Sequence, residues 1–276
     1  MEKILLVINA ASPGIPALDF ACHIAGLTNS KITGVFLENP EVIEINVQEK
    51  AYDSTYFDPK TSVICRYKKS LIEKNISLFK DTCEKKFVRY AIHRNEGIPV
   101  PEIIRESRYA DLVIVSSATS FHESYEEMPS AFVRDLLRSA ECPVIIAPEN
   151  FEAIDEILFT SNNNSSSAYA IRQFTYLFPE LHEKRVIILQ VNNEGAWPGQ
   201  EQYDLTEWLQ NHYSAIGFDA LKGTAEDKLF DYLCNRKNVF IVMGAYGRSA
   251  MSNFFTPSHA DVLIKSINHP IFIAHL

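Results

Sequence analysis

The strongest constraint on the fold of this chain is an internal repeat at an offset of 127 residues. Residues 131–147 (AFVRDLLRSAECPVIIA) align with residues 258–274 (SHADVLIKSINHPIFIA). The same offset extends back without a gap, so that residues 111–115 align with residues 238–242. A repeat of this length predicts two copies of one structural unit, whatever any single motif indicates.

The beginnings of the two halves are also alike. Residues 4–9 (ILLVIN) resemble residues 157–162 (ILFTSN). The halves therefore meet close to residue 150, and we predict one domain over residues 1–149 and a second over residues 150–276.

Within each half, short apolar runs alternate with amphipathic stretches. This pattern is typical of βαβ units, so we predict an α/β fold with a five-stranded, mostly parallel sheet in each half. The predicted strands are residues 4–8, 32–37, 88–93, 111–115 and 144–147, then 157–161, 185–191, 218–222, 239–243 and 271–274.

The stretch between the second and third strands of each half is predicted to be an amphipathic helix. The apolar faces consist of Ile72, Ile76, Phe79 and Cys83 in the first half, and of Leu205, Trp208, Leu209, His212 and Ile216 in the second. Residues 38–62 are longer than their counterpart around residues 192–202, and they are interpreted as an exposed loop, either a solvated connector or a lid.

Composition excludes some classes of protein. A formal net charge of -9 is unlike that of a sequence-independent nucleic-acid binder, which needs a basic surface. No apolar run reaches the length of a membrane span, so we expect a soluble, cytoplasmic protein that binds neither membrane nor nucleic acid. The five cysteines contain no CxxC pair, and we expect buried, reduced thiols.

One glycine-containing turn stands out in the second half. Gly244 and Gly247 follow the apolar run of residues 239–242. Glycines after a buried strand allow a phosphate to approach backbone N–H groups at a helix N-terminus. They also allow positive φ or close packing of a helix on a strand, so both interpretations stay open.

These features together resemble the universal stress protein family, in a tandem form with two fused domains. The resemblance is carried by the strand DLVIV (111–115), the turn GAYGRS (244–249) and the endings CPVII (142–146) and HPIFI (269–273). It implies two Rossmann-like α/β sandwich domains related to the adenine-nucleotide α-hydrolase-like folds. It also implies a non-catalytic role in stress response, with ATP and Mg²⁺ bound by some members through G-x2-G-x9-[G/S]-[S/T].

The resemblance places a nucleotide site in the second half. Its predicted residues are Gly244, Gly247, Arg248 and Ser258 near the phosphates, and Asn162 and Val191 beside adenine. Pro257 departs from the motif, because proline removes a backbone donor and fixes φ. Asn162 stands where ATP-binding members have aspartate; an amide oxygen is a weaker acceptor than a carboxylate.

The motif is lost in the first half. At the constant offset, Ser117, Ser120 and Ala131 replace the two glycines and the terminal hydroxyl, and Asn9 stands at the adenine position. We therefore expect no phosphate site there.

Other interpretations stay open. The polar run of residues 162–167 is expected to cap the following helix, at residues 168–177, or to contact a ligand. The whole chain is alternatively a nucleotide-free protein-interaction module, or an ATPase or nucleotidyl transferase. No catalytic residue and no metal ligand is nominated, because no HExxH, GxSxG or Walker spacing occurs.

The last strand of each half bears on assembly. In the family that this chain resembles, that strand pairs antiparallel with the same strand of another domain. Residues 143–147 and 270–274 can pair in this way within one chain. Without that pairing, each of these strands would present an open sheet edge. We predict an intramolecular pseudo-dimer, able to form a further homodimer.

Overall fold

The fold is seen in a computed structural model, which describes residues 1–12, 14–39, 63–122, 125–162, 164–234, 236–244 and 268–274. In those ranges, the strands are β1 (Lys3–Asn9), β2 (Lys31–Leu37), β3 (Tyr90–Asn95), β4 (Leu112–Ser116), β5 (Val144–Ala147), β6 (Glu156–Ser161), β7 (Arg185–Asn192), β8 (Ile216–Lys222), β9 (Val239–Gly244) and β10 (Ile271–Ala274).

The α-helices of the same ranges are α1 (Leu18–Leu27), α2 (Val63–Lys85), α3 (Pro99–Ser107), α4 (Ala131–Ser139), α5 (Ser165–Leu177), α6 (Gly199–Leu209) and α7 (Ala225–Leu233). Each predicted strand is present, and the α/β fold class is confirmed. Most of the long predicted loop, residues 40–62, lies outside the described residues.

Contacts divide the chain into two compact units. The first contains Glu2–Glu126 and Ser130–Glu141, and the second contains Cys142–Leu276 with Met1 and Glu127–Pro129. β5 therefore belongs to the second unit. The boundary between residues 149 and 150 stays a prediction.

The first unit contains a parallel sheet in the strand order β3-β2-β1-β4. Its register pairs Lys3 with Lys31, and Ile32 with Tyr90. Because parallel strands need crossover connections, helices link them and cover the sheet.

The second unit contains six strands in the order β5-β10-β9-β6-β7-β8. β10 pairs parallel with β9 and antiparallel with β5, where Ile271 lies opposite Ile146. β10 is thus hydrogen-bonded along both of its sides. The antiparallel pairing expected of the two last strands is confirmed.

Aromatic side chains fill much of the core of the second unit. Phe174 contacts Phe159, Phe240 and Phe272, with ring centroids 4.9–5.8 Å apart and nearly perpendicular planes. Edge-to-face packing of this kind adds to the stabilisation that burial provides. The hydroxyl of Tyr213 bonds that of Thr175, and burial raises the pKa of Tyr213 to about 12.

The helix prediction is right in the first half and partly wrong in the second. Ile72, Ile76, Phe79 and Cys83 of α2 are all buried, as expected. α6 ends at Leu209, so His212 and Ile216 do not belong to its apolar face.

Two local features explain where the boundaries differ. The side chain of Asn211 donates to the carbonyl oxygens of Glu207 and Trp208, which satisfies the end of α6. In the first half, Phe87 adopts a positive φ and the N–H of Val88 bonds Cys83 O at 2.9 Å. Val88 therefore terminates the preceding helix, and β3 begins two residues later than predicted.

The expectation of buried thiols is confirmed for Cys22 and Cys83, which are 2 % and 0 % exposed. It is wrong for Cys234, which is exposed, and Cys142 is intermediate. None of the helices in the described ranges combines the length and the hydropathy that crossing a bilayer requires.

Candidate functional site

Three of the predicted site residues lie at the carboxyl edge of the second unit's sheet. Asn162 directly follows β6, Val191 is in β7, and Gly244 ends β9. β6 lies between β7 and β9, so the ends of these strands are neighbours. Ligands of open α/β sheets bind at this edge, where strand order changes direction.

The remaining predicted site residues are not described. Gly247, Arg248 and Ser258 lie outside the described residues, as does Pro257. Their proposed contacts with phosphate stay predictions.

Gly244 is required by packing. A Cβ atom at this position would lie 2.4 Å from the backbone C and O of Ser166 and 2.5 Å from the backbone N of Ser167. Real Cβ atoms do not approach backbone so closely. The first turn of α5 therefore packs directly on the end of β9, which supports close helix–strand contact as the reason for this glycine.

The start of α5 is held by its own cap. Asn164 is the N-cap residue, and its side chain accepts a hydrogen bond from the N–H of Ser167 at 2.8 Å. The hydroxyl of Ser167 donates back to Asn164 O at 2.9 Å. The predicted capping role of this polar run is confirmed, and the helix begins at Ser165, earlier than predicted.

The two asparagines at the adenine position differ in their surroundings. Asn9 donates through Nδ2 to Ser120 O at 2.7 Å and accepts through Oδ1 from the N–H of Ala11 at 3.1 Å. Asn162 is exposed, and its side chain forms no hydrogen bond within the described part of the chain. The amide of Asn162 is thus open to a ligand, whereas that of Asn9 is engaged by the protein itself.

In the first half, a carboxylate contacts the residues that align with the predicted motif. Glu126 accepts hydrogen bonds from the hydroxyl of Ser120 and, at 3.3 Å, from the N–H of Ala131 at the start of α4. Ser130 caps the same helix by accepting from the N–H of Val133. Ser120 and Ala131 align with Gly247 and Ser258, so in the first half an internal anion contacts two residues that align with the motif.

This internal anion was not foreseen from the sequence. The signal that could have revealed it is an acidic residue located between Ser120 and Ala131, in a half that lacks the glycines. The same stretch also contains Glu123 and Glu127, so the sequence alone does not show that Glu126 is the residue involved.

A groove of about 250 Å³ lies beside the candidate site, between α5 and α6. Its apolar floor is formed by Ala168, Ile171, Leu205 and Trp208. Asn162, Val191 and Gly244 do not line it. In the described ranges, no three His, Cys, Asp or Glu side chains converge as they would around a metal ion.

Comparison with known proteins identifies the fold. No protein-family model matches the chain, and no curated protein sequence matches it. A universal stress protein from Archaeoglobus fulgidus aligns with a TM-score of 0.65 and 14 % identity, over 99 % of this chain and 96 % of that one. A putative universal stress protein from Pseudomonas aeruginosa gives 0.58 and 14 %, over 100 % and 93 %.

A functionally unknown protein from Pseudomonas aeruginosa also aligns, with a TM-score of 0.59 and 13 % identity over 100 % of this chain and 92 % of that one. All three likenesses extend over the full chain. The fold is therefore that of the universal stress proteins, as the sequence predicts.

Proposed function

We propose that this chain is a non-catalytic, cytoplasmic stress-response protein whose second half binds an adenine nucleotide, ATP with Mg²⁺. The observation that carries the proposal is the difference between Asn9 and Asn162. Both stand at the end of the first strand of their half, and only the amide of Asn162 is left open by its described neighbours.

The chemistry of this edge fits an adenine base. The Oδ1 atom of Asn162 can accept from the adenine amino group, and its Nδ2 atom can donate to a ring nitrogen. Val191 is half-buried on the neighbouring strand, where it can contact the face of the base. The sequence prediction that the residues after Gly244 provide backbone donors for the phosphates completes the proposed site.

We assign no reaction to the site. The groups proposed to hold the nucleotide are backbone amides, hydroxyls, a guanidinium and one amide side chain. Such groups position a ligand without exchanging a proton with it.

The test is isothermal titration calorimetry of the nucleotide-free protein with ATP and Mg²⁺. The wild type is expected to bind one equivalent. Gly247→Val should abolish binding, because a branched side chain blocks the approach of phosphate to the backbone. Asn162→Asp should tighten it by about three- to tenfold, because a carboxylate accepts more strongly.

Asn9→Asp is the matched control, since it makes the same change at the equivalent position of the other half. It is expected to leave ATP affinity unchanged. Absence of binding up to about 1 mM ATP by a folded wild type would refute the proposal, because that limit corresponds to about -4 kcal/mol. Steady release of phosphate would instead indicate an ATPase and overturn the non-catalytic assignment.

A second candidate function is a nucleotide-free protein-interaction module of the same fold. The environment of Gly244 favours it, because the packing of α5 on β9 accounts for this glycine without a ligand. It predicts that Gly247→Val and Asn162→Asp leave the heat of mixing with ATP at the level of dilution.

A further inference from the structure

We infer that the first unit contains a second, separate binding site, which takes a phosphate monoester. The site is a cavity of about 440 Å³ next to β3, the outer strand of the sheet. The lining residues on which the inference rests are Lys3, His93, Asn95, Arg105, Glu106 and Tyr109. It involves no residue of the proposed ATP site, and it does not depend on that proposal.

A buried carboxylate fixes the orientation of His93. Nδ1 of His93 lies 2.7 Å from Oε2 of Glu106, and Asn95 Nδ2 donates to Oε1 of the same carboxylate at 3.0 Å. The side chain of Glu106 is only 10 % exposed, whereas that of His93 is 42 % exposed. Because Nδ1 faces the carboxylate, it donates to that group, and Nε2 is the ring atom left for a ligand; Nε2 donates to an anion when both ring nitrogens are protonated.

Cationic groups line the same cavity as this imidazole. The ammonium group of Lys3 forms no ion pair with any described residue. Arg105 bonds Glu102 through one nitrogen and is otherwise 61 % exposed, which leaves donors of its planar group available. Arg94 also lines the cavity, but its charge is satisfied by Glu38 at 3.0 Å and Glu73 at 3.4 Å.

Two acidic groups near these cations are held by other partners. Both oxygens of Glu106 accept hydrogen bonds, and Asp111 is bonded to the backbone amides of Glu2 and Lys3. No described carboxylate lies within ion-pair distance of the Lys3 ammonium group, and Arg105 keeps unused donors at the cavity beyond its bond to Glu102. Such a set of donors is suited to an anion with several acceptor oxygens.

The second unit provides an internal comparison, because its strands keep the same register. Lys3 pairs with Lys31, and four residues further along β2, Val35 pairs with His93. In the second unit Glu156 pairs with Arg185, and four residues further along β7, Leu189 pairs with Asp219. Glu156 and Asp219 are thus the counterparts of Lys3 and His93.

The helices agree with this correspondence. α3 and α7 each span nine residues. The second-to-last residue is Glu106 in α3 and Tyr232 in α7. Glu106 bonds His93, and the hydroxyl of Tyr232 bonds Asp219. The two clusters are therefore equivalent positions that contain different chemical groups.

In the second unit the cluster is neutralised by the chain itself. Arg236 bonds Glu156, donates to the hydroxyl of Tyr232 at 2.7 Å, and lies 3.8 Å from Asp219. Its guanidinium also stacks 4.1 Å above the Tyr232 ring. In the first unit Lys3 reverses the charge of Glu156, and the imidazole of His93 replaces the carboxylate of Asp219. No described acidic side chain forms an ion pair with Lys3, as Arg236 does with Glu156. A ligand anion is the missing partner.

The geometry favours a phosphate ester over a simple carboxylate. Donors come from β1 and α3, and from β3 when both ring nitrogens of His93 are protonated. A phosphate presents acceptor oxygens in more directions than a planar carboxylate does. Tyr109 is 81 % exposed at the cavity, where its ring can contact the organic part of the ester.

The experiment is a titration of the full-length protein with phenyl phosphate at low ionic strength. Binding is measured by calorimetry and by the NMR shifts of the His93 ring. The wild type is expected to bind one equivalent of phenyl phosphate at this site. Binding is expected to shift the NMR resonances of the His93 ring. Lys3→Gln should weaken binding about tenfold, because it removes a charge-assisted contact. Lys3→Glu, which copies the second unit, should abolish it.

Arg138→Gln is the control with the same loss of charge, because Arg138 lies on α4 and does not line the cavity. Its affinity should stay within about twofold of the wild type, which is the range expected of a distant surface charge. The inference is overturned if the wild type shows no saturable binding, or if Arg138→Gln and Lys3→Gln weaken it equally. Equal affinity for acetate would overturn the assignment to phosphate. Circular dichroism confirms that each variant is folded.

Discussion

Gly244 shows how a single residue can serve the fold at a predicted ligand site. We predict that Gly244→Ala destabilises the second unit by about 1–3 kcal/mol, because the new methyl group must displace backbone at Ser166 and Ser167. Urea unfolding followed by tryptophan fluorescence measures this change. Both tryptophans, Trp197 and Trp208, belong to the second unit, so the signal reports on that unit alone.

Gly199→Ala is the matched control for this substitution. Gly199 is the first residue of α6, in the unit on which the tryptophans report, and a Cβ atom there meets nothing within 4 Å. Alanine is preferred over glycine in a helix, so this variant should be no less stable than the wild type. Equal loss of stability in both variants would contradict the packing explanation of Gly244.

The sequence could predict that Gly244 must be glycine, but it could not decide why. The reason lies in the backbone of Ser166, which is distant in sequence and comes close only when α5 packs on β9. For Asn9 the difficulty is the same, since its partner Ser120 is brought to it by the fold.

At the level of single elements, the cap of α5 connects the sheet edge to the helix. Asn164→Ala removes the acceptor for the N–H of Ser167 and should destabilise the second unit by about 1 kcal/mol. The same fluorescence measurement applies. Ser165→Ala is the control, because Ser165 is exposed and its side chain does not provide the cap. If both substitutions cost the same, the cap does not hold the start of α5.

Periodicity predicted the strands well, because a buried β-strand in a parallel sheet is a short, continuous apolar run. The helix boundaries were harder to predict. The apolar positions of His212 and Ile216 continue the 3.6-residue period of α6, yet Asn211 ends that helix through side-chain bonds to its carbonyl oxygens. A pattern of hydropathy carries no information on such a cap.

At the scale of the whole molecule, the cysteines differ in their access to reagents. We expect Cys234 to react rapidly with Ellman's reagent in the native protein, because it is exposed. Cys22 and Cys83 should react only on unfolding; their mutual hydrogen bond and burial also raise the pKa of Cys83 far above its usual range.

Cys234→Ser should therefore lower the number of fast-reacting thiols by one, and Cys22→Ser should leave that number unchanged. A native protein in which Cys22→Ser also removes a fast thiol would show that the contact between α1 and α2 opens readily.

The two-sided pairing of β10 has a consequence for exchange between chains. Single-domain proteins that associate through a last strand can trade subunits, and their pairing weakens on dilution. Here β10 already has β9 on one side and β5 of the same chain on the other. The pairing of β10 with β5 is intramolecular, so it does not weaken on dilution. A single-domain relative therefore finds no unpaired edge of β10 with which to form a mixed pair.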